Sequence, residues 1–157
     1  MNMDRIWAPW RVKYVQAKKQ KGCIFCRSLK SERRNYVIFK TMHSISVLNI
    51  FPYNNGHIMV SPIRHVKEFV ELKDSEILDL IKSLNKAKKL LSKVLKADGY
   101  NIGINESLAA GAGIAGHLHI HIVPRWLGDT NFMPVLSDTK VISQSLDELY
   151  KRLKRQL

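Results

Sequence analysis

The chain has 157 residues, with 26 Lys and Arg against 13 Asp and Glu, a formal net charge of +13 at pH 7, and 45% hydrophobic residues. A chain of this length buries about 68–70% of its unfolded surface, so it holds a core as one domain and needs no disulfide framework. Its longest apolar runs fall far short of the about 20 residues that span a bilayer, and Met1 to Trp7 contains no apolar signal core. We therefore expect a cytoplasmic protein with no membrane partner. The positive excess favours an anionic ligand, although much of it lies along predicted helix faces where solvation accounts for it.

In chain order, residues 1–20 form an N-terminal arm, 21–137 the core, and 138–157 a C-terminal strand and helix of one domain. The arm holds Trp7-Ala8-Pro9-Trp10-Arg11, and its two tryptophans are expected to pack on the domain or on a second subunit rather than to stack on bases. Cys23-Ile24-Phe25-Cys26 contains the only cysteines. A CxxC pair is half a zinc site or a redox dithiol; the redox reading wants a βαβ context that is not evident, and zinc needs two more ligands, from His65, His117 or another histidine.

Tyr36-Val37-Ile38-Phe39, Ile45 to Ile50 and His57-Ile58-Met59-Val60 alternate and are rich in β-branched residues, with Tyr53-Asn54-Asn55-Gly56 as the turn between the last two. These predict antiparallel neighbours. Asp74-Ser75-Glu76 opens a long helix whose apolar positions Ile77, Leu80, Ile81, Leu84, Ala87, Leu91, Val94 and Leu95 keep helical spacing, and Asp98-Gly99 is expected to end it. Tyr100 to Asn105 reads as a strand. A loop rich in glycine and alanine follows, Glu106 to Gly116, in which the backbone N–H groups around Gly111 and Gly113 offer a concave anion site. Beyond a loop at 127–134, a short strand at Lys140-Val141-Ile142 and a basic amphipathic helix ending at Leu157 complete the chain.

That loop leads into His117-Leu118-His119-Ile120-His121-Ile122. Alternation at period two puts all three imidazoles on one face of a strand, about 7 Å apart along it, with the apolar residues packed on the other. Each ring can be nucleophile, acid, hydrogen-bond donor or metal ligand near neutrality. One imidazole could attack phosphorus while its neighbour binds an oxygen, which is nucleotidyl transfer through a covalent intermediate. The same row could instead hold a catalytic zinc, a reading that leaves the glycine-rich loop unexplained. A non-enzymatic alternative, a zinc-stabilised nucleic-acid-binding module, draws on the net charge and the CxxC pair but has no use for three aligned imidazoles.

The row, preceded by a glycine-rich loop and followed by Pro124-Arg125, resembles the motif of the histidine triad (HIT) family. The resemblance extends to Cys23-Ile24-Phe25-Cys26, Asn55 to Val60 with Pro62 and His65, Asn101 to Asn105, and Gly128 to Val135, and covers roughly residues 5–137. Trp7 to Arg11 and the last of these segments look like the bacterial diadenosine tetraphosphate phosphorylase branch. The resemblance implies an α+β fold: an antiparallel sheet of about five strands, one long central helix and a C-terminal helix. It implies a homodimer whose sheets join, and conversion of diadenosine tetraphosphate and phosphate to ADP and ATP through a nucleotidyl-histidine. A dinucleoside polyphosphate hydrolase or a nucleoside phosphoramidase is the alternative within the family.

By position in the motif, His119 would be the nucleophile and His121 would contact a phosphate or bridging oxygen. Cys23, Cys26, His65 and His117 would hold a structural zinc, Asn49 would contact the ribose, and Asn105 the phosphate. Many members carry Gln and Ser or Thr just before the row, where Gly113 and Ile114 stand here. Backbone N–H groups would then carry more of the phosphate binding, which suits the phosphorylase branch. No organic cofactor is expected, and nucleic acid ranks below a nucleotide as partner.

Overall fold

A computed structural model describes residues 22–129 and 142–157. The N-terminal arm over 1–20, most of the loop at 127–134 and the strand expected at Lys140-Val141 lie outside the described residues; Ile142 is irregular. Among the described residues there are three α-helices and five strands: α1 Ile24–Ser28, β1 Val37–Lys40, β2 Ser44–Leu48, β3 Ile58–Pro62, α2 Asp74–Leu95, β4 Gly99–Ile104, β5 Ile120–Arg125 and α3 Leu146–Lys154. The strands form one antiparallel sheet in the order β1-β2-β3-β5-β4. Among the described residues no helix is long and apolar enough to cross a membrane.

The sheet is covered on both faces, which is why β2 and β3 are buried throughout rather than at alternate positions. On one face α2 sets Leu80, Leu84, Ala87 and Leu91 against Ile38, Leu48, Ile58, Val60, Ile120 and Ile122, and α3 adds Leu149 and Leu153. On the other, Phe25 from α1 packs with Val37, Ile45, Val47 and Met59. Met59 stands directly opposite His121 across the β3–β5 ladder, so the histidines share this second face.

Between β2 and β3 the chain turns at Gly56, whose φ is +79° and whose missing Cβ would lie 2.5 Å from Leu95 Cδ1. The positive φ favours glycine there, and a Cβ would also have to push the end of the Leu95 side chain aside.

Several boundaries differ from expectation, each for a local reason. Helix α2 is not capped by Asp74 or Ser75; Lys73 is its N-cap, and the Glu76 carboxylate reaches back to accept the Lys73 N–H at 2.9 Å. The helix ends at Leu95, before Asp98-Gly99, because Lys96 turns left-handed at φ 53°. Ile81 is 46% exposed and Leu90 is buried in its stead, since the core stripe runs along 80, 84, 87 and 91 and Leu90 flanks it on the inner side. Helix α3 stops at Lys154.

The histidine strand begins only at Ile120, so His117 and His119 sit on an extended lead-in. There the ladder to β3 gives way to two other bonds: the Leu118 N–H donates to Val66 O at 2.7 Å and the Ser61 hydroxyl to Leu118 O at 2.8 Å.

Candidate active site and metal centre

The row of histidines divides into two sites. His117 turns toward the cysteines, with its Nδ1 3.1 Å from Cys23 Sγ and 3.7 Å from Cys26 Sγ, while His65 Nδ1 lies 3.3 Å from Cys26 Sγ. One donor atom from each of the four residues falls within 4.8 Å of the others. Cys23 is the N-cap of α1 and Cys26 lies in its first turn, so a single short helix presents both sulfurs. The His117 Nε2–H donates to Pro62 O at 2.9 Å, which leaves the Nδ1 lone pair facing the sulfurs. A Cys₂His₂ set so oriented fits zinc, and the rival catalytic zinc on the whole row does not fit, because His119 and His121 turn elsewhere. Burial first, and then Cys23, push the Cys26 thiol above its ordinary range, a preference for the protonated form that a bound cation reverses.

His119 and His121 stand together, with ring centroids 4.8 Å apart. The Nδ1–H of His119 donates to His117 O at 2.8 Å. A carbonyl only accepts, so the proton is on Nδ1 and the lone pair is on Nε2. The tautomer of His121 follows from a longer chain of bonds. Asn49 accepts the Phe51 N–H through Oδ1 at 2.9 Å, which leaves its amide Nδ2 to face His57 Nδ1 at 3.2 Å. The Tyr53 N–H also donates to His57 Nδ1, at 3.1 Å. Two donors on one nitrogen place the His57 proton on Nε2, from which it is donated to His121 Nδ1 at 2.8 Å. His121 therefore carries its own proton on Nε2, and that atom is buried without a hydrogen-bond partner.

The rings are neutral at neutral pH. Burial, reinforced by His121 and His119, pushes His57 down to about 3, and burial followed by the charge of His119 pushes His121 down to about 4. Burial also lowers His119, against the opposing effect of its bond to the His117 carbonyl, and lowers His117. Phe25 walls the row, its ring 5.2 Å from His117 and 5.1 Å from His119. On the open side Tyr53, more than half exposed, lies 4.5 Å from His57 and 5.5 Å from His121.

The remaining expected residues are distributed unevenly. Asn49 is at the site, but each end of its amide already has a partner within the protein. Asn105 follows the end of β4 and is partly buried. Gly111 spends its N–H on Leu108 O at 3.0 Å, and Ala112 spends its own on Ser107 O, so these two are turn donors rather than anion donors. Gly111 has φ +85°, whereas Gly113 has ordinary φ and open space around it. Ile114, just beyond, packs on the Phe25 and Met59 cluster and brings the loop to the histidine face.

His57 was not singled out from the sequence. Its signal was available: it lies two residues before Met59, hence on the same face, and just after an Asn-Gly turn.

The model of the HIT domain family matches residues 30–126. An AP-4-A phosphorylase from Mycobacterium tuberculosis is 34% identical over 161 residues, covering 96% of this chain and 83% of that protein. An uncharacterised HIT-like protein from Methanocaldococcus jannaschii is 37% identical over 132 residues, covering 84% and 98%. Among solved structures, a Zn-bound histidine triad family protein from Mycobacterium smegmatis superposes with a TM-score of 0.70 at 25% identity, covering 85% of this chain and 91% of that one. The chain belongs to the HIT domain family, a family with enzymes among its named members.

Proposed function

We propose that the protein transfers a nucleotidyl group from a dinucleoside polyphosphate to inorganic phosphate through a covalent intermediate on His119. The observation that carries this reading is the pairing of a free lone pair on His119 Nε2 with an unpartnered proton on His121 Nε2. His119 Nε2 attacks the α-phosphorus, forming an N–P bond as the P–O bond to the leaving polyphosphate breaks. The His117 carbonyl, held on His119 Nδ1–H, meets the positive charge that develops on the ring. His121 Nε2–H donates a hydrogen bond to the departing oxygen, which leaves as an anion. A phosphate oxygen then attacks phosphorus and releases His119, giving ADP and ATP from diadenosine tetraphosphate.

The name carried by the Mycobacterium tuberculosis relative, which aligns along nearly the whole chain, supports phosphate as acceptor.

Cys23, Cys26, His65 and His117 would hold zinc, which when bound ties α1 and the Pro62–His65 turn to the histidine lead-in. The reading extends to a homodimer joined along β4, an edge strand whose Ile102 and Ile104 face solvent at 50% and 38% exposure.

Incubation with diadenosine tetraphosphate, with and without phosphate, tests the proposal. Phosphate-dependent ADP and ATP are expected, with a loss of about 10³-fold or more in His119→Ala. AMP release independent of phosphate would point to the hydrolase, and an unimpaired His119→Ala would end the reading.

A further inference from the structure

Helix α2 distributes its charge unevenly. Asp74, Glu76 and Asp79 fall in its first six residues, whereas residues 80–95 contain Lys82, Lys86, Lys88, Lys89 and Lys93 and no acid. Lys82, Lys86, Lys89 and Lys93 recur at helical spacing on one stripe, which at 1.5 Å per residue runs about 16 Å. Like charges three and four apart oppose the helix that carries them. Among the described residues none of the four is in an ion pair. They line a groove of about 480 Å³, closed by Gln156 and Leu157 beyond α3, with no acidic side chain in its lining. One of them, Lys86, is set 4.5 Å over the Phe39 ring, which limits its freedom to swing away.

We propose that this groove binds single-stranded nucleic acid through its phosphate backbone, an interaction beyond the nucleotidyl transfer and independent of it. Independence follows from the sheet: α2 covers the face of Ile58 and Ile122, and the histidines lie on the opposite face with Met59. The choice of partner follows from the groove's form. The lysine run outreaches the phosphates of one mononucleotide, and a row of like charges with no acidic side chain in the lining complements the repeated phosphates of a strand. No aromatic ring lines it, so bases find no stacking platform and the strand is held by its charge without regard to sequence.

The test is fluorescence anisotropy of the full chain with a labelled oligouridylate of about 12 nucleotides, within the usual range of single-strand sites. Four neutralised phosphates predict a slope of about −3 for log K against log salt. The variant Lys82→Gln/Lys86→Gln/Lys89→Gln/Lys93→Gln should lose at least tenfold in affinity at low salt, with a slope near zero and an unchanged turnover of diadenosine tetraphosphate. A control of equal charge, with Lys30, Lys67, Lys73 and Lys151 changed to Gln, should bind as wild type, as should His119→Ala.

Equal losses in the groove variant and the control would reduce the effect to net charge and overturn the proposal. Binding that survives the groove variant would do the same, as would binding to phosphatidylserine vesicles with none to the oligonucleotide. Because the binding arm uses no turnover, failure of the nucleotidyl-transfer reading would leave it interpretable.

Discussion

A neutral histidine can place its proton on either ring nitrogen, and here three main-chain groups, helped by the Asn49 amide, make the choice. Pro62 O fixes His117, His117 O fixes His119, and the Tyr53 N–H, acting through His57, fixes His121. His57 is then a positioning residue, and His57→Leu should free His121 to take either tautomer. We expect kcat to fall about 10²-fold, the scale of losing one preorganised donor, with KM little changed and loss of the Nε2–H signal of His121 in ¹⁵N spectra.

The same burial has a stability consequence. His57 and His121 gain protons near pH 6.5 when unfolded, but in the fold only near about 3 and about 4. Between these values the unfolded chain binds more protons, so stability falls as pH drops below 6.5, by at most about 1.4 kcal/mol per pH unit for each ring. Urea unfolding from pH 7 to 4 should show this slope in wild type and a shallower one in a His57→Gln variant, and equal slopes would contradict it. The pattern His-Leu-His-Ile-His was readable in the sequence because its spacing is local. The partnership of His57 with His121 was not, since it crosses two strands and depends on a register that no local pattern states.

At the scale of elements, each strand and long helix expected over residues 36–125 is present, while the strand expected at Lys140-Val141-Ile142 lies mostly outside the described residues. The departures concern ends, where one side chain outweighs propensity. Glu76 moves the start of α2 to Lys73 while also binding Arg64 at 2.8 and 2.7 Å, and Arg64 first, then the Lys73 N–H, holds its carboxyl down to about 2. Helix α1 has five residues, too few to be stable alone. It depends on the burial of Phe25, and a metal held by its cysteines would tie it down further. Protein purified without added zinc should contain about one zinc per chain, as a structural Cys₂His₂ set implies, and chelation or Cys26→Ser should lower the Tm by several degrees. A metal-free preparation with unchanged Tm would remove zinc from the account. The CxxC pair alone left zinc and redox open; the two histidines that complete a metal-holding group with it come from distant positions and reach it only through folding.

For the molecule as a whole, β5, which carries His121, occupies an inner position and β4 the edge, so among the described residues a six-residue strand is left unpaired along one side. Ile102→Lys should turn a dimer measured by light scattering into a monomer, and a wild type that is already monomeric would refute the joined-sheet arrangement. Composition could announce an anion-binding protein but not where its charge would gather, since Lys82 to Lys93 become one groove only when α2 lies down on the sheet beside the chain's last residues.

The placement of the site's protons also bears on how such a catalyst can change. Because Pro62 O, His117 O and the Tyr53 N–H are main-chain atoms, side-chain substitution at those positions leaves their bonding groups in place. Only His57 and Asn49 act through side chains in placing these protons, so a descendant of this scaffold that keeps those two would keep the nucleophile and donor roles proposed for His119 and His121.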